Sequence, residues 1–109
     1  MLEPLLGSLS TERVLIFIFA REGGYARDIA RFFDTDLYGI QKQLDKLEAG
    51  GVLTSGLVGR TRVYKFNPRY PFLTELKQML EKALSFYPLE EREKLVMNRR
   101  RPRRRDKPL

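Results

Sequence analysis

Apolar positions follow three different rhythms along the chain. From Val14 to Ala20 (VLIFIFA) they are continuous, which predicts a helix apolar almost all round and therefore central and buried. Ser10 is placed to cap that helix, Glu12 occupies its acidic first turn, and Gly23-Gly24 stops it after Arg21-Glu22. The next two segments are amphipathic. In Tyr25–Phe33, the residues Ala26, Ile29, Ala30 and Phe33 recur at helical spacing, with Arg27, Asp28 and Arg31 outside. In Leu37–Ala49, Ile40, Leu44 and Leu47 form the inner stripe, and Gln41, Lys42, Gln43, Asp45 and Lys46 lie away from it. Asp34-Thr35-Asp36 is the turn between these helices, with Asp36 as N-cap, and Gly50-Gly51 ends the second, one of the pair in a left-handed cap conformation.

Beyond Gly51 the pattern changes. Val52–Val58 and Arg62–Phe66 are rich in β-branched and aromatic residues, with Gly59-Arg60-Thr61 between them, a hairpin signal. Asn67-Pro68 closes the second strand. Between Phe72 and Tyr87 helical spacing returns: Phe72, Leu76, Met79, Ala83 and Phe86 mark one face, and Leu73, Leu80, Leu84 and Tyr87 widen it until Pro88. Leu89–Met97 reads as a short charged helix. The predicted fold is mainly α with a small β-hairpin. Residues 1–88 form the domain, and 89–109 form a charged helix and an Arg-rich tail.

Two short helices joined by a tight turn, followed by a hairpin, make the helix-turn-helix arrangement with a wing. The segment from Ser10 to Phe66 resembles the winged helix-turn-helix regulators of the ArsR-like and MarR-like type. The most telling string is LDKLEAGGVL, Leu44–Leu53, which is similar to the end of that family's recognition helix and the start of its wing. RVYKF, Arg62–Phe66, resembles the outgoing wing strand, and Ser10–Leu15 with the preceding Gly7-Ser8 resembles the approach to the first buried helix. The resemblance implies a homodimeric regulator of transcription that binds double-stranded DNA. Residues 37–49 would lie in the major groove and 53–66 would rest on the flanking groove and backbone. It also implies dimerisation through the terminal helices, which here places Phe72, Leu76, Met79, Ala83 and Phe86 at the subunit interface.

The residues themselves suit that role. A recognition helix presents its N-terminal side chains to base edges, so the DNA-binding candidates are Tyr38, Gln41, Lys42 and Gln43. Gln can pair bidentately with adenine and Lys can donate to guanine. At the wing tip, Arg60, Thr61 and Arg62 are candidates for phosphate or minor-groove contact. Tyr25, Arg27, Lys65 and Arg69 extend the patch. Gly39, in the first turn, admits either close approach to DNA or tight packing. Asp34 and Asp36 are read as capping residues and not as a metal pair.

Charge changes the picture in one respect. The formal net charge is +7, yet residues 1–91 carry 12 Lys/Arg and 12 Asp/Glu, so the excess belongs to the last eighteen residues. Six arginines there, Arg99, Arg100, Arg101, Arg103, Arg104 and Arg105, surround Pro102. Like charges repel, which predicts disorder for this tail in isolation. Its polyanionic target would be DNA flanking the site, RNA or an acidic protein. Cys, His and Trp are absent. Without Cys and His there is no disulfide framework, no thiolate or imidazole metal site and no common nucleophile–base pair. No cofactor, no metal and no enzymatic activity are therefore expected, and metal sensing of the ArsR type is not. The longest apolar run is far below the roughly 20 residues of a membrane span, and Glu3 without a basic leader argues against a signal peptide, so the chain reads as cytoplasmic. The alternative function is a winged-helix protein–protein adaptor, antitoxin-like, partnering a separate enzyme.

Overall fold

A computed structural model describes residues 1–96. The elements are α1 (Glu3–Leu6), α2 (Leu9–Arg21), α3 (Ala26–Phe32), α4 (Leu37–Ala49), β1 (Leu53–Val58), β2 (Thr61–Phe66) and α5 (Leu73–Ser85). Residues 89–96 are helical as well. The architecture is a winged helix-turn-helix: α2, α3 and α4 form the helical layer, and the antiparallel β1–β2 hairpin stands beside α4 as the wing.

The core is centred on α2. Val14, Leu15, Ile16, Phe17 and Ile18 are all at most 2 % exposed, as a helix apolar on every side requires. Ile29 from α3, Ile40 and Leu44 from α4, Leu53 and Tyr64 from the wing and Leu80 from α5 close around it. Leu95 joins the same core. Arg21, at the end of α2, ties that last helix in place. Its Nε donates to the Leu95 carbonyl (3.2 Å), its Nη2 donates to that of Lys94 (3.4 Å), and its guanidinium lies over the rings of Phe17 and Phe32.

Three local features differ from the sequence expectation. The cap of α2 is Ser8, whose Oγ accepts from the Thr11 N–H at 3.1 Å, and Ser10 lies inside the first turn. The wing turn has two residues, not three, because Val58 pairs with Thr61. Gly59 carries φ +65° at the first turn position, where two-residue hairpin turns need a residue free of the Cβ penalty. A third strand segment also joins the sheet. Gly24 bridges Tyr64, donating to its carbonyl at 3.0 Å and accepting from its N–H at 2.7 Å. That bridge stitches the α2–α3 junction to the wing, and a Cβ on Gly24 would sit 2.8 Å from Phe17 Cε1.

One buried charge ties the N-terminal segment to Tyr87. Glu12 is 2 % exposed and accepts from the Leu2 N–H (2.9 Å) and the Tyr87 hydroxyl (2.6 Å), with the terminal ammonium at 3.3 Å. Burial pushes the carboxyl pKa up, but these donors outweigh it and hold Glu12 below its usual value. Burial and the adjacent carboxylate push the Tyr87 phenol well above its ordinary range.

Candidate nucleic-acid interface

The helix-turn-helix geometry is made by short-range chemistry. Asp34 turns the chain with φ +52°, a conformation Asp tolerates better than most residues. The Thr35 N–H donates to the Ala30 carbonyl at 2.9 Å, and Asp36 Oδ2 then accepts from the Gly39 N–H at 2.9 Å, starting α4. The inner stripe of α4 fixes which side faces out: Ile40 and Leu44 are fully buried, so the opposite face carries Tyr38, Lys42 and Asp45.

Tyr38 is 72 % exposed and Lys42 is exposed beside it. Gln41 leans toward the wing instead. Together with Arg27 from α3 and Arg60, Thr61 and Arg62 from the wing, it lines a groove of ≈ 510 Å³. Tyr25, Ala26, Leu37, Asp45 and Tyr64 complete its walls. The groove thus gathers three arginines and one carboxylate, a local surplus of positive charge in a chain body that is neutral as a whole. Asp28, the nearest acid on α3, is engaged by Arg21 (3.6 Å) and Arg31 (3.7 Å). Arg62 is oriented by its neighbours: its Nη1 donates to Ser55 Oγ at 3.0 Å, and Ser55 donates in turn to Glu48 Oε2 at 2.7 Å.

The candidate residues do not all converge. Gln41, Arg60, Thr61 and Arg62 share the groove, whereas Tyr38 and Lys42 form the exposed ridge next to it. Gln43 points the other way, its Oε1 accepting from the Thr11 hydroxyl of α2 at 3.0 Å. The arginines from Arg99 to Arg105 lie outside the described residues. Among the polar groove residues, Asp45 and Tyr64 are absent from the sequence-based set. Asp45 was legible as the i+4 partner of Gln41. Tyr64 was not, because its hydroxyl reaches the groove only once the wing folds back onto α4.

The apolar residues expected at a subunit interface divide. Phe72 and Phe86 are 63 % and 67 % exposed, and Leu76 and Met79 are half-buried. Ala83 is 4 % exposed and packs inside its own chain with Leu80 and Leu84. It presents no surface to a partner, because the inward stripe of α5 runs through Leu80, Ala83 and Leu84. Met1, Leu5, Leu9 and Leu89 add further exposed apolar area, and Met1, Leu9 and Phe86 line one concavity. Among the described residues no group of three or more His, Cys, Asp or Glu could hold a metal ion, and no helix is long and apolar enough to cross a membrane.

No family model and no curated protein sequence matches the chain. Solved structures do. The apo form of a double mutant of ZitR from Lactococcus lactis is 18 % identical, with 91 % of this chain and 83 % of that one covered and a TM-score of 0.55. A MarR-family transcriptional regulator from Silicibacter pomeroyi is also 18 % identical, with 89 % and 71 % covered and a TM-score of 0.54. A second structure of the ZitR mutant gives 15 % identity and a TM-score of 0.50 over 90 % and 75 % of the two chains. At these identities the likeness establishes the winged-helix fold over most of the chain.

Proposed function

We propose that the chain is a DNA-binding transcription regulator acting as a homodimer, with α4 in the major groove and the wing on the flanking backbone. The observation that carries this reading is the groove between α3, α4 and the wing, where Arg27, Arg60 and Arg62 stand around Gln41 beside the exposed ridge of Tyr38 and Lys42. A helix with a polar outer face and flanking cations is what a major groove and its phosphates accept. The fold shared with a MarR-family regulator supports the same reading.

In the dimer, the exposed residues Phe72 and Phe86 meet the partner, and two α4 helices lie about 34 Å apart along one face of the duplex. The Arg-rich run 99–105 adds phosphate contacts that carry no sequence information. Electrophoretic mobility of duplex DNA with the triple variant Lys42→Ala/Arg60→Ala/Arg62→Ala tests the assignment. Loss of binding by roughly tenfold or more is expected, since each lost phosphate contact removes counterion release. Mobility identical to the unsubstituted protein favours an adaptor that meets protein partners through the same fold.

A further inference from the structure

The side-chain amide of Gln41 has two hydrogens, and both are engaged. Its Nε2 donates to Asp45 Oδ1 at 2.9 Å and to the Tyr64 hydroxyl at 3.1 Å. The orientation of the amide is dictated by its partners: a carboxylate only accepts, so the nitrogen must face Asp45. What remains free on Gln41 is Oε1, which accepts. What remains on Asp45 is the second carboxylate oxygen, which also accepts. Asp45 is exposed on the outward face of α4, one turn beyond Gln41 and on the side that carries Tyr38 and Lys42.

We propose that Gln41 and Asp45, held in place by the hydroxyl of the buried Tyr64, form a reading pair whose free groups, Gln41 Oε1 and the second Asp45 carboxylate oxygen, only accept and so select a base bearing an exocyclic amino group, cytosine or adenine, in the major groove. The inference rests on α4 being the element that meets DNA. The edges of the four bases make the selection. Cytosine offers the N4 amine and adenine the N6 amine, both donors, whereas guanine (O6, N7) and thymine (O4) offer acceptors that would oppose the free oxygens of the unit. The bidentate adenine contact open to an unrestrained Gln needs one Nε2 hydrogen for N7, and here neither hydrogen is available. A carboxylate on a DNA-facing ridge is repelled by phosphate, and an amine in the groove floor is the partner that compensates it. Tyr64 is a positioning residue in this unit, 2 % exposed and held by the Gly24 bridge.

Base analogues separate this from bidentate reading. The full chain is used to select duplexes from a random library, and affinity is then measured on the selected site. Every base pair carries one major-groove amine, on cytosine or on adenine, so the expectation concerns what binding depends on: one position per half-site is read through that amine. Removing the amine there, with 2-pyrimidinone for cytosine or purine for adenine, should weaken binding roughly tenfold. Replacing adenine by 7-deaza-adenine, which lacks only N7, should change nothing. Asp45→Ala, at an exposed position, frees one amide hydrogen and should make adenine preferred over cytosine, with sensitivity to 7-deaza-adenine appearing. Binding unchanged when the amines of the selected site are removed one at a time, or an unsubstituted protein sensitive to loss of N7, overturns the acceptor-only unit while leaving DNA binding intact. Failure to enrich any duplex overturns both.

Discussion

Single residues decide more here than their chemistry alone suggests. Gly24 has an ordinary backbone conformation, so its need for glycine comes from packing: Phe17 fills the space where a Cβ would sit. Gly24→Ala should cost on the order of 1–3 kcal/mol, the usual penalty for overpacking a core. Chemical denaturation followed by circular dichroism, in a chain without Trp, measures it. Glu12 makes a second residue-scale prediction. Its folded pKa lies below the ordinary 4.5, so its contribution to stability is present above that value and is lost as pH falls through the lowered one. Tyr87, shifted upward, acts on the alkaline side: its contribution is whole below 10.0 and declines above it. Glu12→Gln should therefore flatten the acid limb of a stability–pH curve, and Tyr87→Phe should flatten the alkaline one. An unchanged acid limb in Glu12→Gln would place the acid-labile group elsewhere.

At the scale of elements, α4 and the wing share one groove, and the proposed function gives them different work. Asp36 starts α4 through a single side-chain bond to the Gly39 N–H, so Asp36→Ala should destabilise by about 1 kcal/mol and leave the wing in place. Arg60 is at the hairpin tip and Arg62 is buttressed by Ser55 and Glu48. Substituting either by Ala should lower the dependence of binding on salt by about one phosphate contact. Substitution in α4 should instead alter which sequences are bound. A titration of affinity against salt for each variant on two unrelated duplexes separates these two effects. The helices and the hairpin are legible from periodicity because each buries a stripe set by its own period. The Gly24–Tyr64 bridge is not, since a one-residue strand leaves no alternation to read.

For the whole molecule, charge and assembly are separable. The body is neutral through residue 91 and the excess lies beyond it. A version ending at Met97 should bind duplex with a markedly shallower salt dependence than the full chain, since up to six arginines would cease to displace counterions. Equal slopes would remove the tail from the DNA contact. The proposed assembly would use apolar area that one chain leaves open, with Phe72 and Phe86 about two-thirds exposed. The pair Phe72→Glu/Phe86→Glu should shift sedimentation toward the monomer and leave the circular dichroism spectrum unchanged, because neither ring is part of the core.

From sequence alone follow the order of elements from α2 onward, the central place of the helix containing Val14–Ala20, the inner stripe of α4 and the location of the net charge; α1, a single turn, is not among them. These are local or additive properties: periodicity, capping chemistry and a sum over residues. Tertiary structure alone decided which polar groups meet. It turned Gln43 toward Thr11, used both amide hydrogens of Gln41, brought the Tyr64 hydroxyl and Asp45 to one groove and committed Ala83 to the core. Each of these depends on how elements distant along the chain cross, and no spacing within a single segment encodes that.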